Sequence, residues 1–261
     1  MSVKLTPYEQ EMLDGKYGRC KQAALQGIIK YAQILGADEL VEVTKTHTCC
    51  GSEAIPADFP DGDLNKPEFL NKDFHEDHLK NIFPELKDGD FDGFSENALL
   101  IDDVHTSDSY QWEYPQQTKE FWDMTNRILD TAVQGGCIAG STCAPYLAGW
   151  LPTMGEYFVT TESSNVLYCN SVLGTRGNGG GGATTMMTCI CGRTPKWGLH
   201  FKENRHGTHV FCIHSKLESK LKWDMVGIAI GRRLSPNAIP VMVSHGTDSM
   251  PCRWNWHGAK H

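Results

Sequence analysis

The stretch from Gly140 to Pro195 constrains this chain more than any other. It reads Gly-Ser-Thr-Cys143-Ala-Pro-Tyr146, then Gly155-Glu156-Tyr157, Glu162-Ser163-Ser164, Asn170-Ser171-Val-Leu-Gly174-Thr-Arg176, a glycine run, and Gly192-Arg193-Thr194-Pro195. A run this dense in small residues, hydroxyls and single charges is poor material for a core. Polar groups gathered at bends need partners and a rigid frame, which is how sites are built. The remainder of the chain is therefore expected to act as scaffold.

That scaffold reads as α/β. Thr6-Pro7-Tyr8-Glu9 is a helix start, with Thr6 as N-cap, Pro7 at the first helical position and Glu9 completing a capping box. Ala23, Ala24, Ile28, Ile29, Tyr31, Ala32 and Leu35 recur at helical spacing up to Gly36. Leu40 to Thr44 predicts a buried strand that delivers Thr46, His47, Thr48, Cys49 and Cys50 to its end. Ligands gather at such strand ends. Further strands are expected at 98–101, 208–214 and 239–243, and further helices at 118–133 and 223–230. The organisation predicted is one catalytic domain over residues 1–243, with a divergent acidic insert at 56–93 and a C-terminal tail at 244–261. The insert suggests one short helix near 77–82. Its Asp88-Gly89-Asp90-Phe91-Asp92-Gly93 copies half of a calcium loop, but the twelfth position is Leu99 rather than Glu, so a tight acidic turn is expected.

Composition excludes several classes. The formal charge of −8 and the lack of a basic stripe argue against a nucleic-acid partner. No stretch approaches 18 uninterrupted apolar residues and the N-terminus lacks an apolar signal core, so no membrane partner and a cytoplasmic location are expected. Ten irregularly spaced cysteines do not make a small secreted disulfide scaffold. His200, His206, His209 and His214 lack a CxxC pair, and His209 and His214 point to opposite faces of a strand, which disfavours zinc.

The candidate chemistry lies in the opening stretch. Cys143, ahead of Ala144-Pro145, is presented from a bend as a metal ligand or nucleophile would be, although a buried structural thiol has the same local sequence. Glu156 and Glu162 lie six apart in strand-like sequence, so they could share a face and act as acid or base; exposed loop acids are the alternative. Asn170, Ser171, Gly174, Arg176 and the run 177–182 resemble an anion cradle, or a flexible loop. A thiol hydrolase pairing Cys143 with His47 is a further reading.

Taken in order, these motifs resemble the catalytic large subunit or domain of the aconitase X family. The likeness begins at Leu5-Thr6-Pro7-Tyr8-Glu9 and passes through Gly36-Ala37-Asp38-Glu39-Leu40-Val41 and His47. It is most specific in Thr142-Cys143-Ala144-Pro145-Tyr146, Gly155-Glu156, Glu162-Ser163, Asn170 to Arg176, Gly192-Arg193-Thr194-Pro195 and Gly198-Leu199-His200. The resemblance implies layered mixed sheets with flanking helices, aconitase-superfamily-like, and a hydro-lyase acting on a small hydroxy carboxylic acid. It implies an iron–sulfur cluster (2Fe-2S or 4Fe-4S) with Cys143 as a ligand. Glu156, Glu162 and Ser163 are implied as catalytic, and His47, Ser164, Asn170, Ser171 and Arg176 as substrate-binding. A small swivelling subunit is the implied partner. The family's later segment, which brings the other cluster cysteines, has no counterpart here, so the remaining ligands are expected from another chain, with Cys49, Cys50 or Cys252 as local substitutes. A non-catalytic subunit that keeps the fold without the cluster is the alternative function. Tyr157 stands where His is usual, and Gly177-Asn178-Gly179 lacks a second arginine.

Overall fold

The computed structural model describes residues 2–48, 83, 85–87, 89–95, 99–102, 126, 133–140 and 142–244. Helix α1 (Pro7–Leu13) starts as its sequence requires: Thr6 Oγ1 accepts from the Glu9 amide at 3.3 Å, and Glu9 Oε2 accepts from the Thr6 amide at 2.8 Å. Helix α2 (Arg19–Leu35) ends on Gly36 in the left-handed region. Its apolar face buries Cys20, Ala23, Ala24, Leu25, Ile28 and Ala32. Against it lies helix α4 (Gly182–Cys191), named after α3 (Ser163–Tyr168), which precedes it in the chain. The two approach closely at Gly27, where a Cβ would come within 2.4 Å of Met187 Sδ. Met186, Cys189, Ile190 and Cys191 complete this core with Phe83, Leu86, Phe94 and Cys137.

The expected strand at Leu40–Thr44 is divided. Strand β1 (Leu40–Glu42) pairs antiparallel with β5 (Arg193–Pro195). At Val43–Thr44 the chain changes sheets: the Val43 amide donates to Gly192 O and the Thr44 amide to Tyr157 O. It then forms β2 (Lys45–Thr48), the centre of a three-stranded sheet with β3 (Leu99–Asp102) and β4 (Phe158–Thr160), all parallel. His47 therefore lies inside a strand, not beyond its end. Residues 176–179 run beside β4 in the same direction, through bridges Tyr157↔Arg176 and Thr160↔Gly179. A central parallel strand is covered on both faces, and such strands are ordinarily apolar. Here Thr46, His47 and Thr48 are each 0% exposed. A polar sequence buried at the centre of a sheet marks the site.

The C-terminal part is a strand–helix–strand unit. Strand β6 (His209–Ile213) pairs parallel with β7 (Pro240–Ser244), joined through α5 (Lys220–Gly231), whose N-cap Ser219 accepts from the Lys222 amide. The order of helices and small sheets is the α/β class expected. Of the predicted 118–133 helix, only Asn126 and Val133 fall among the described residues, both helical. The short helix near 77–82 lies outside them. In the acidic turn, Asp90 Oδ2 accepts from the Lys87 amide at 2.8 Å and Asp92 Oδ1 pairs with Lys21 Nζ at 3.5 Å.

Candidate active site

The carboxyl ends of β2 and β4 carry a buried polar network. His47 Nε2 lies 2.8 Å from Thr142 O, a carbonyl that can only accept, so this nitrogen carries the proton. Nδ1 is then an acceptor, facing Thr160 Oγ1 at 2.9 Å. Thr160 Oγ1 donates its one proton to Nδ1 and accepts from the Glu162 amide and Asn165 Nδ2, each at 3.1 Å. Asn165 Oδ1 accepts in turn from Cys169 Sγ at 3.1 Å. Trp150, Phe158 and Cys169 wall the network with apolar surface. Burial pushes the His47 pKa below its ordinary value, partly opposed by the Thr142 carbonyl and the charge of Glu162. The ring is neutral, with both nitrogens committed.

This network holds the Cys143 bend. The carbonyl before the thiol, Thr142 O, is bound by His47, and the carbonyl of Cys143 itself accepts from Ser164 Oγ at 3.3 Å. Thr142 Oγ1 accepts from the Ala144 amide at 3.0 Å. Pro145 then opens a 3-10 turn (Pro145–Ala148). Cys143 is half-buried at this corner. A thiol hydrolase using His47 as base has no support here, because the imidazole has no nitrogen to offer the thiol. Glu162 and the exposed Ser163 open α3 at the same end.

The other expected residues sit elsewhere. Glu156 and Glu162 flank β4 on either side instead of sharing one strand face, because the strand spans only three residues. Glu156 accepts from the Thr153 amide and lies 4.0 Å from Lys45 Nζ. Burial raises its pKa, but the Thr153 amide and hydroxyl, Lys45 and Thr44 outweigh that and hold it below the usual carboxylate value. Arg176 Nη1 donates to Tyr157 OH at 3.4 Å, at the amino end of β4. Three residues of strand separate it in register from Thr160, a distance of about 10 Å. Asn170 is a brace: its side chain binds Val166 O, Gly177 O and the Gly177 amide, and accepts from Arg205 Nη1 at 2.7 Å. Ser171 is exposed on the π-helical turn that follows α3.

The thiols bear on whether an iron–sulfur cluster fits. Burial pushes the pKa of Cys20, Cys169 and Cys191 up to about 12, which keeps them protonated and unsuited to ligation. Among the described residues no three His, Cys, Asp or Glu side chains converge as a metal site would require. Cys49, Cys50 and Cys252 lie outside those residues. A three-thiolate cluster thus does not fit the described residues by themselves.

The sequence matches the aconitase X first domain over residues 2–59 and 101–203. The chain belongs to the aconitase X family. It is 29% identical over 241 residues to the phosphomevalonate dehydratase large subunit of Methanocaldococcus jannaschii, covering 90% of this chain and 54% of that protein. The cis-3-hydroxy-L-proline dehydratase of Hypocrea jecorina is 25% identical over 248 residues, covering 93% of this chain and 37% of that protein. The fold is shared with the holo-form of Thermococcus kodakaraensis aconitase X, at a TM-score of 0.70 and 23% identity over 95% of this chain and 56% of that one. The chain spans about half the length of the curated large subunits it matches.

Within this aconitase X chain, sequence reasoning missed Thr142, Thr160, Asn165, Cys169 and Arg205 as parts of the site's frame. His47 and Asn165 are 118 positions apart, and no local spacing reports their contact. A signal for Thr160 existed: it lies between an apolar strand and an acidic helix start, where a hydroxyl can serve both.

Proposed function

We propose that this chain supplies the first-domain half of an aconitase X hydro-lyase, a cytosolic enzyme that removes water from a small hydroxy carboxylic acid together with a polypeptide providing the rest of the site. The observation that carries the reading is the Cys143 bend, clamped on both carbonyls at the carboxyl ends of a parallel sheet, where α/β proteins bind ligands. Elimination of water needs a base for the proton beta to the leaving hydroxyl and a group that assists the departing oxygen. Glu162, anchored through its own amide to Thr160, is the carboxylate at the right end of the strand. It would take the carbon-bound proton as the C–H electron pair forms the C=C bond and the C–O pair leaves with the hydroxyl. The hydroxyl takes up a proton from solvent to become water, and Glu162 later returns its own proton to solvent. Ser163, beside it and exposed, would orient the substrate. Cys143 would be one ligand of the family's iron–sulfur cluster, the others arriving with the partner. Arg176, about 10 Å away in register, would meet the far, anionic end of an extended substrate rather than the reacting carbon. The relatives' names support hydroxy acids of the phosphomevalonate or hydroxyproline kind as substrates, and the term large subunit supports a smaller partner.

The test is turnover by the complex isolated anaerobically with its associated chains, read as formation of the unsaturated acid from a panel of small hydroxy acids. Glu162→Gln is expected to lower kcat by about a hundredfold or more, the usual loss for a removed general base. An assembled complex that dehydrates none of the panel, or a Glu162→Gln complex as active as the parent, overturns the corresponding part of the reading.

A further inference from the structure

We infer that His47 is a positioning residue that sets the presentation of the Cys143 thiol through its Nε2–H bond to the Thr142 carbonyl, with Ser164 as the second jaw of the same clamp. The inference refines the proposed function but does not depend on the cluster, because it concerns the bend itself. Four features carry it. His47 is 0% exposed on the central strand, so its ring cannot reach a substrate in solution. Its donor points at the backbone one residue before the thiol, 95 positions away in sequence. Its acceptor is saturated by Thr160, which Asn165 and the Glu162 amide hold in turn, so the ring has one available orientation. Ser164, itself buried, donates to the carbonyl of Cys143 from the first turn of α3. The two donors thus grip consecutive carbonyls on either side of the Cys143 Cα. They tie the bend at once to the central strand and to the helix that bears Glu162, so the thiol and the carboxylate are held in one frame.

The two nitrogens of His47 can be tested separately. Glutamine places an amide donor near the position of Nε2 and can keep the Thr142 bond. Asparagine is shorter, reaches only the Nδ1 end, and leaves Thr142 O unbound. The measurement is the rate of Cys143 alkylation by iodoacetamide in the metal-free chain, read by mass spectrometry of the Cys143 peptide, with Cys20 and Cys191 as internal reporters of intact folding. His47→Asn is expected to raise the Cys143 rate about tenfold, the consequence of leaving a buried acceptor unpaired, while His47→Gln stays within about twofold of the parent. Ser164→Ala is expected to raise it by a smaller factor. Equal rates in the parent, His47→Asn and His47→Gln overturn the inference, as does a His47→Gln rate equal to an elevated His47→Asn rate. If His47→Asn exposes Cys20 and Cys191, the chain has unfolded and Ser164→Ala decides: an unchanged Cys143 rate in that variant overturns the clamp. Failure of the hydro-lyase reading leaves these rates untouched, so the two outcomes are separable.

Discussion

Arg193 and Glu9 face each other at 3.0 Å with side chains 10% and 4% exposed, joining the first helix to β5 across 184 residues of sequence. The second oxygen of Glu9 closes the capping box, Arg193 Nη1 also donates to Gly192 O, and the guanidinium lies 5.1 Å from the Tyr8 ring. Both charges are thus fully engaged. Removing one partner strands the other: Arg193→Met is expected to cost about 3–5 kcal/mol in urea unfolding, and a loss under 1 kcal/mol would show that water reaches the pair. His200 makes a second residue-scale prediction. Burial, helped by the charges of Arg176 and Arg205 and opposed by the Pro195 carbonyl, lowers its pKa from 6.5 to about 4. The unfolded chain therefore binds more protons between those values, and stability is lost as pH falls from about 6.5 towards 4. The contribution is on the order of 3 kcal/mol. Denaturant titrations from pH 7 to 4.5 should show this decline, and His200→Gln should flatten it.

At the scale of elements, α1, α2, α5, β3, β6 and β7 were legible, whereas α3, α4, β4, β5 and the division of β1 from β2 were not. Helix α1 has a cap, a proline and a capping-box glutamate in sequence, and α2 has seven apolar residues at helical spacing before a glycine. These are local codes. Strands β1 and β2 carry too few alternations to show a period, so the break between them at Val43–Thr44 could not be read, nor could the placement of His47 inside a strand. Thr46 and Thr48 also looked like loop residues, because burial at a sheet centre is a tertiary fact. The glycine-rich segment beside β4 has a physical reason that sequence could not supply: a Cβ at Gly177 would come within 2.3 Å of the Phe158 ring, which is 0% exposed. Gly177→Ala is accordingly expected to destabilise by about 1–3 kcal/mol through overpacking, measured as a lowered urea midpoint. The milder Phe158→Leu in the same background should recover part of the loss.

At the scale of the molecule, two regions differ in how well they are covered. The α2–α4 layer encloses a core, whereas the β6–α5–β7 unit leaves Val210 67%, Leu221 69% and Met225 57% exposed. Helix α5 buries Trp223 and Ile230, and among the described residues its sheet has two parallel strands, fewer than such sheets ordinarily contain. No helix among the described residues is long and apolar enough to cross a membrane. Exposed apolar surface of this kind promotes association. Val210→Lys is expected to raise the soluble concentration of the chain without lowering its thermal midpoint, as light scattering and a melting curve would show.

The site combines both kinds of information. Its candidate motifs are a local pattern of cysteine, glutamates and serines at bends. The frame that holds them was not legible, because His47, Thr142, Thr160 and Asn165 meet only through the parallel pairing of β2 with β4. Iron and acid-labile sulfide in the anaerobically prepared complex, compared between the parent and Cys143→Ala, test the cluster assignment most directly. The expected result is thiolate-to-iron absorption in the parent and its loss in Cys143→Ala at an unchanged thermal midpoint. Full iron and sulfide in Cys143→Ala, or none in an assembled and reconstituted parent, would contradict it.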